Sequence, residues 1–142
     1  MILWDSSALV ALLVDEPDTA RRAEQLRADP MMATWWATPI EAEFAIQRRV
    51  RDGNGTFSSS DARLARARLM ELARAWHEVN PTANLRRLAI RLIRTHPLRP
   101  PDAVQLAAAV SLANAGITDL KFASAEDRLN EAAEAENLTI LP

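Results

Sequence analysis

An α/β sandwich, with a mostly parallel sheet of four to five short strands flanked by helices, is the fold class this sequence predicts. Short apolar runs alternate with longer helical segments along the whole chain, the pattern that builds a parallel sheet covered on both faces. Hydrophobic residues make up 49% and charged residues 25%, the balance of a chain with a substantial core. No internal repeat, low-complexity tract or linker interrupts the 142 residues, so one domain spanning 1–142 is expected.

Met1 to Trp4 is short and apolar and reads as a buried strand ending at Asp5. Ser6 or Ser7 can cap a helix through Ala8 to Leu13, which Asp15-Glu16-Pro17-Asp18 breaks. A second helix covers Thr19 to Ala28, ended by Asp29-Pro30. Met31 to Trp36 reads as the next strand, and Pro39 opens a helix through about Arg51, followed by a turn at Asp52-Gly53-Asn54-Gly55. The cluster Ser58-Ser59-Ser60-Asp61 starts a long helix to Ala75. Trp76 to Asn80 reads as a short strand, and Pro81-Thr82 opens a helix to Thr95. His96 to Pro101 is a stiff connector into an alanine-rich helix from Asp102 to Ala115, closed by Gly116. Asp119 to Ser124 reads as a strand, Glu126 to Glu136 as a helix and Leu138 to Leu141 as the last strand.

Composition excludes several chemistries. Without cysteine there are no disulfides, thiolate zinc sites, iron–sulfur clusters or cysteine nucleophile. No run of 18 or more apolar residues occurs, and Ile2-Leu3-Trp4 meets Asp5 at once rather than continuing as a signal peptide, so a cytoplasmic protein is expected. With two histidines, His77 and His96, and no tyrosine, chemistry must rest mainly on carboxylates and hydroxyls. Both histidines read as structural, each beside an element end. Net charge is −2, but residues 44–99 carry twelve arginines against four acids, while residues 1–43 carry three against eight. A basic middle between acidic ends suits a protein that holds cations in one place and a polyanion in another, although arginines on exposed helix faces are commonly just solvated.

Open parallel sheets place their sites outside the carboxyl ends of the strands. Asp5 closes the first strand immediately before a helix. Glu41 and Glu43 follow the second strand, but two residues separate them by about 200° around a helix, so only one can face a given site, and periodicity leaves the choice open. Asp102 stands in the first turn of its helix, and Glu126 and Asp127 begin the helix after Leu120 to Ser124. Each acid alone is an ordinary capping or dipole-complementing residue. Together they recur at strand-to-helix junctions that can lie along one sheet edge. Carboxylates converging there would repel one another and raise each other's pKa values. A hard divalent cation, Mg²⁺ or Mn²⁺, resolves that conflict and is the usual apparatus of phosphodiester hydrolysis.

Four segments in this order carry a family resemblance: Asp5-Ser6-Ser7-Ala8-Leu9, then Glu41, then Arg99-Pro100-Pro101-Asp102-Ala103-Val104-Gln105-Leu106-Ala107, then Ser124-Ala125-Glu126-Asp127-Arg128-Leu129. The chain resembles PIN-domain ribonucleases, and more narrowly the VapC-type toxins of bacterial toxin–antitoxin pairs, over essentially its whole length. The resemblance implies a PIN-like three-layer sandwich and a Mg²⁺- or Mn²⁺-dependent endoribonuclease. It implies Asp5, Glu41, Asp102 and Glu126 as catalytic and metal-holding residues. Ala45-Ile46-Gln47-Arg48, together with the approach Trp35-Trp36-Ala37-Thr38-Pro39, selects Glu41 over Glu43. The fourth acid is a departure: Glu126 stands where the family usually carries aspartate, and Asp127 beside it is the alternative. Ser124 matches a small hydroxyl position and is expected to orient a metal-bound water. The resemblance also implies an RNA substrate, a small antitoxin partner whose arginine can replace the metal's charge, and homodimerisation. Trp35 and Trp36 can stack on a base or pack in the core or an interface. Two competing classes are a non-catalytic α/β RNA- or protein-binding module whose acids serve only as caps, and a metal-dependent phosphatase, which leaves the basic middle without a use.

Overall fold

The structure, a computed structural model, describes residues 1–141. Among these run, in chain order, β1 (Ile2–Trp4), α1 (Ser6–Leu13), α2 (Thr19–Ala28), β2 (Met32–Trp35), α3 (Thr38–Asp52), α4 (Ser59–Ala73), β3 (His77–Val79), α5 (Ala83–Thr95), α6 (Pro100–Asn114), β4 (Lys121–Ala123), α7 (Asp127–Ala135) and β5 (Thr139–Leu141). The strands form one five-stranded sheet in the order β3-β2-β1-β4-β5, and every pairing is parallel. The expected class and strand count are therefore observed.

Period-two alternation sorts the central strand between two cores. Ile2 and Trp4 point into a layer built from Ala8, Leu9 and Leu12 of α1, Ala42 and Ile46 of α3 and Ala65 of α4. Leu3 points the opposite way, with Ala33 and Phe122, into a layer built from Leu92 of α5, Leu106 and Ala107 of α6 and Leu129 of α7. Alanines on α6 let that helix approach closely, and Ala103 and Ala107 to Ala109 are fully buried. Trp4 and Phe122 are wholly enclosed, one on each side of the sheet. Truncating a buried ring of that size costs about 3–5 kcal/mol.

Local chemistry sets the element ends. Ser58 and Asp61 form a reciprocal capping box on α4, and the Thr82 side chain caps α5 by accepting from the Leu85 N–H. Gly116 ends α6 at φ 89°, a conformation open to glycine without a steric cost. Several boundaries differ from expectation by one or two residues, and two of these differences have a local chemical cause. α6 begins at Pro100, because proline has no N–H to lose in a first turn. α1 is capped by Asp5, whose side chain accepts from the Ser7 N–H, while Ser6 and Ser7 are already helical. Asp5 still has extended backbone, and that geometry is what lets a cap reach forward to the first free amides.

The order of connections positions the site. The chain lays down β1, β2 and β3 outward in one direction, then returns to place β4 on the other side of β1. The carboxyl ends of β1 and β4 therefore flank the switch point, where open α/β sheets leave a crevice. Asp5 follows the first of these strands, and Ser124 follows the second. No helix among the described residues is long and apolar enough to cross a membrane.

Candidate active site

Asp5 and Ser124 meet at the switch point. The Asp5 backbone N–H donates to the Ala123 carbonyl at 2.9 Å, extending the β1–β4 pairing by one residue. Its side chain is 3% exposed, and its Oδ2 takes three hydrogen bonds: from Ser124 Oγ at 3.0 Å, from the Ser7 N–H at 3.1 Å, and from Ser7 Oγ. Each serine is itself held in turn. Ser7 Oγ accepts from the Ala125 N–H at 2.9 Å, and Ser124 Oγ accepts from the Glu126 N–H at 3.0 Å. Asp5 thus organises the turn that carries Glu126. Ser124 Oγ thus links the Asp5 carboxylate to the turn that carries Glu126.

Burial pushes the Asp5 carboxyl up to about 6, against the pull of the Ser7 and Ser124 hydrogen bonds, and the nearby Glu41 charge raises it further. Arg22 lies within electrostatic range of Asp5. Its guanidinium, however, donates to the carbonyls of Ser124 at 2.9 Å and Leu141 at 3.1 Å and to Gln25. It braces the loop after β4 through the Ser124 carbonyl.

The two glutamates of α3 separate as their spacing requires. Glu41 reaches toward α6, where the buried Gln105 Nε2 donates to its Oε2 at 2.9 Å. Glu43 points to α4, where Arg66 grips it from Nε and Nη2 and holds its carboxyl below the usual range. Only Glu41 belongs to the neighbourhood of Asp5. Gln105 was not singled out from the sequence, but it carried a signal. It is a polar residue on an alanine-rich helix, one turn after Asp102 and so on the same face.

Asp102 and Glu126 line one cleft of about 450 Å³, shared with Asp127, Arg99, Arg128, Pro97, Ala125 and Leu129. Asp102, in the first turn of α6, makes no side-chain hydrogen bond or ion pair among the described residues. Glu126 is the N-terminal cap position of α7 without a side-chain capping bond, and Asp127 opens that helix. Both acids of the fourth position are therefore exposed to the same space.

The expected carboxylates thus stand as two neighbouring pairs, Asp5 with Glu41 and Asp102 with Glu126. They are bridged by Ser124 on one side and by α6 on the other. No three carboxylate or imidazole groups among the described residues are close enough to enclose an ion unaided. Magnesium does not require that, because it keeps several waters and commonly takes only one or two carboxylates plus substrate phosphate. A desolvated carboxylate beside a second carboxylate fits such an ion by charge and by donor type.

The remaining candidates lie elsewhere. His77 is exposed on the edge strand β3. His96 Nε2 is 2.9 Å from Glu136, which also receives both Nη groups of Arg91. Trp35 is buried in the core and Trp36 is 48% exposed, their rings edge to face at 6.5 Å. The basic middle is partly neutralised by the acidic ends: Arg49 pairs with Glu16, Arg66 with Glu43 and Arg91 with Glu136.

Known proteins resemble this arrangement. No curated protein matches the sequence significantly. Among solved structures, a toxin–antitoxin complex from Klebsiella pneumoniae is 18% identical, covering 89% of this chain and 87% of that one, with a TM-score of 0.63. VapC20, the Sarcin-Ricin loop cleaving toxin of Mycobacterium tuberculosis, is 19% identical over 93% and 95% of the two chains, with a TM-score of 0.67. VapBC2 of Rickettsia felis, bound to a DNA fragment from its promoter, is 11% identical over 99% and 98%, with a TM-score of 0.66. At these identities the likeness is one of fold. The profile of the PIN domain matches residues 2–135, nearly the whole sheet together with all four acidic positions, and the chain belongs to that family.

Proposed function

We propose that this chain is a metal-dependent endoribonuclease, the toxin of a type II toxin–antitoxin pair that inhibits translation by cutting RNA. The observation that carries the reading is the buried Asp5 carboxylate at the switch point, tied to Ser124 and set beside Glu41. PIN family membership and the toxin titles of the similar folds support it. Asp5, Glu41, Asp102 and Glu126 are the residues proposed to hold Mg²⁺ or Mn²⁺. When bound, such an ion activates water toward a phosphodiester and offsets charge on the phosphate and leaving oxygen.

The chain's own residues prepare that chemistry. Ser7 and Ser124 hold Oδ2 of Asp5, so its hydrogen bonds leave Oδ1 outside the serine network. Gln105 fixes the direction of Glu41. Burial keeps water from competing at Asp5 and strengthens its attraction for a cation. A histidine base is not needed, and neither histidine is placed to act as one. The proposed setting is cytoplasmic, a single domain spanning 1–142, dimerising with itself and silenced by a small antitoxin that covers the acidic cleft.

The test is cleavage of single-stranded RNA by the purified chain in Mg²⁺ or Mn²⁺, in EDTA, and in Asp5→Asn and Asp102→Asn variants of unchanged fold. Cleavage lost in EDTA and in both variants supports the reading. Cleavage that survives both substitutions, or its absence from the wild type, overturns it in favour of a non-catalytic binding module.

A further inference from the structure

The acidic cleft is not lined by acids alone. Arg99 is the residue immediately before α6, three positions ahead of Asp102, and Arg128 lies in the first turn of α7, two positions after Glu126. Both line the same cleft as Asp102, Glu126 and Asp127. Sixteen arginines occur in the chain, and several are occupied by carboxylates, as Arg49, Arg66 and Arg91 are. Neither the Arg99 nor the Arg128 guanidinium makes a hydrogen bond or ion pair among the described residues, although three carboxylates share their cleft. Guanidinium donors and carboxylate acceptors therefore line one cleft without being paired to each other.

We propose that Arg99 and Arg128 form a two-pronged phosphate clamp that seats the sugar–phosphate backbone of single-stranded RNA across the acidic cleft. The inference rests on the nuclease reading and adds how its substrate is gripped. Three carboxylates repel a polyanion, and two guanidiniums leave the cleft lining at a net −1. The same ion is shared with Asp5 and Glu41, so a dication alone leaves the five carboxylates at −3, and the two guanidiniums bring the site to −1 and are the positive side chains of the cleft. The backbone supplies few donors at the start of α6, because Pro100 and Pro101 occupy its first two positions and proline has no N–H, leaving the Asp102 amide. The side chain of Arg99 substitutes for the missing amides. A guanidinium also presents paired donors that match two phosphate oxygens, which an ammonium does not. Since the contact is to phosphate, it sets the register of the strand without reading its sequence.

The test is the affinity of a short fluorescein-labelled single-stranded RNA, read by anisotropy across a KCl series. Ca²⁺ replaces Mg²⁺, and strand integrity is checked on a gel. Wild type is compared with Arg99→Gln, Arg128→Gln, the double variant, Arg99→Lys and, as a control, Arg74→Gln on the exposed end of α4. Each Gln substitution is expected to weaken binding about tenfold and to lower the salt slope by about 0.7, one phosphate contact on a single strand. The double variant loses both, Arg99→Lys keeps the slope but binds more weakly, and Arg74→Gln changes neither. Equal losses on single-stranded DNA of the same sequence support phosphate as the group held. Unchanged affinity and slope in both Gln variants, or losses matched by Arg74→Gln, overturn the clamp while leaving the nuclease reading intact. Arginine-dependent binding by a wild type that cuts no RNA in Mg²⁺ overturns the nuclease reading and leaves the clamp standing.

Discussion

Gln105 donates its amide N–H to Glu41 Oε2 at 2.9 Å, joining α6 to α3 across the carboxyl edge of the sheet. Gln105 is 1% exposed and sits one helical turn beyond Asp102, so a single buried amide couples the positions of two acids that come from opposite cores. Replacing it with Leu removes the donor and leaves Glu41 free to swing. A stability loss of about 1–2 kcal/mol is expected from the lost bond. In RNA cleavage, the Mn²⁺ concentration needed for half-maximal rate should rise several-fold while the rate at saturating metal changes less. Gln105→Glu, which sets a carboxylate against Glu41, should be worse than Leu on the same readout. Equal metal requirements in wild type and Gln105→Leu would show that the contact is structural only.

Asp5 contributes a pH dependence of its own in the metal-free protein. Burial lifts its carboxyl to about 6 from 3.8. A group whose folded pKa lies above its unfolded value holds its proton more tightly when folded. Its contribution to stability is then full below about 4 and lost as pH rises through about 6. The shift corresponds to about 3 kcal/mol. Asp5→Asn keeps an oxygen for Ser7 and Ser124 but carries no charge. In EDTA at about pH 7 the variant should melt above the wild type, and the gap should close toward pH 4. Urea denaturation across that range checks it.

Ser124→Ala removes one of the bonds that lower the Asp5 pKa and leaves the Glu126 N–H without its acceptor. The acid limb of the cleavage pH profile should therefore move to higher pH, because Asp5 must lose its proton to accept a cation. Ser124→Thr keeps the hydroxyl and should restore the limb. A profile that falls uniformly, without moving, would point to misfolding of the turn instead.

Glu136 provides an internal contrast. Arg91, with His96, holds its carboxyl below the usual range. A lowered folded pKa contributes stability above the unfolded value near 4.5, lost as pH falls through the folded one. Arg91 is 47% exposed, so solvent screening limits the pair to about 1 kcal/mol. Glu136→Gln should flatten the acid limb of the stability curve and leave RNA cleavage unchanged, since the cluster ties α5 to α7 outside the acidic cleft.

Much of this was legible in the sequence because it depends on local order. Consecutive apolar residues in Ile2 to Trp4, proline and hydroxyl caps before α4 and α5, and acids immediately after strands each leave a mark within a few positions. The parallel sheet and the edge bearing Asp5 follow from those marks. The partners of each acid were not legible, because they come from distant segments. Ser124 reaches Asp5 across 119 positions and Gln105 reaches Glu41 across 64. The spacing of Glu41 and Glu43 showed that they diverge but not which way, since that depends on where α4 places Arg66. Three consecutive residues, Asp5, Ser6 and Ser7, can all cap α1, and only the backbone conformation separates them.

The most direct measurement is the change in melting temperature of the wild type and of Asp5→Asn on adding Mn²⁺ at about pH 7. A cation that binds only the folded state must stabilise it in proportion to its occupancy. A rise of several degrees in the wild type, absent from Asp5→Asn, is the expected result. No rise in the wild type, or the same rise in both, would contradict a buried Asp5 that holds a dication together with the half-buried Glu41.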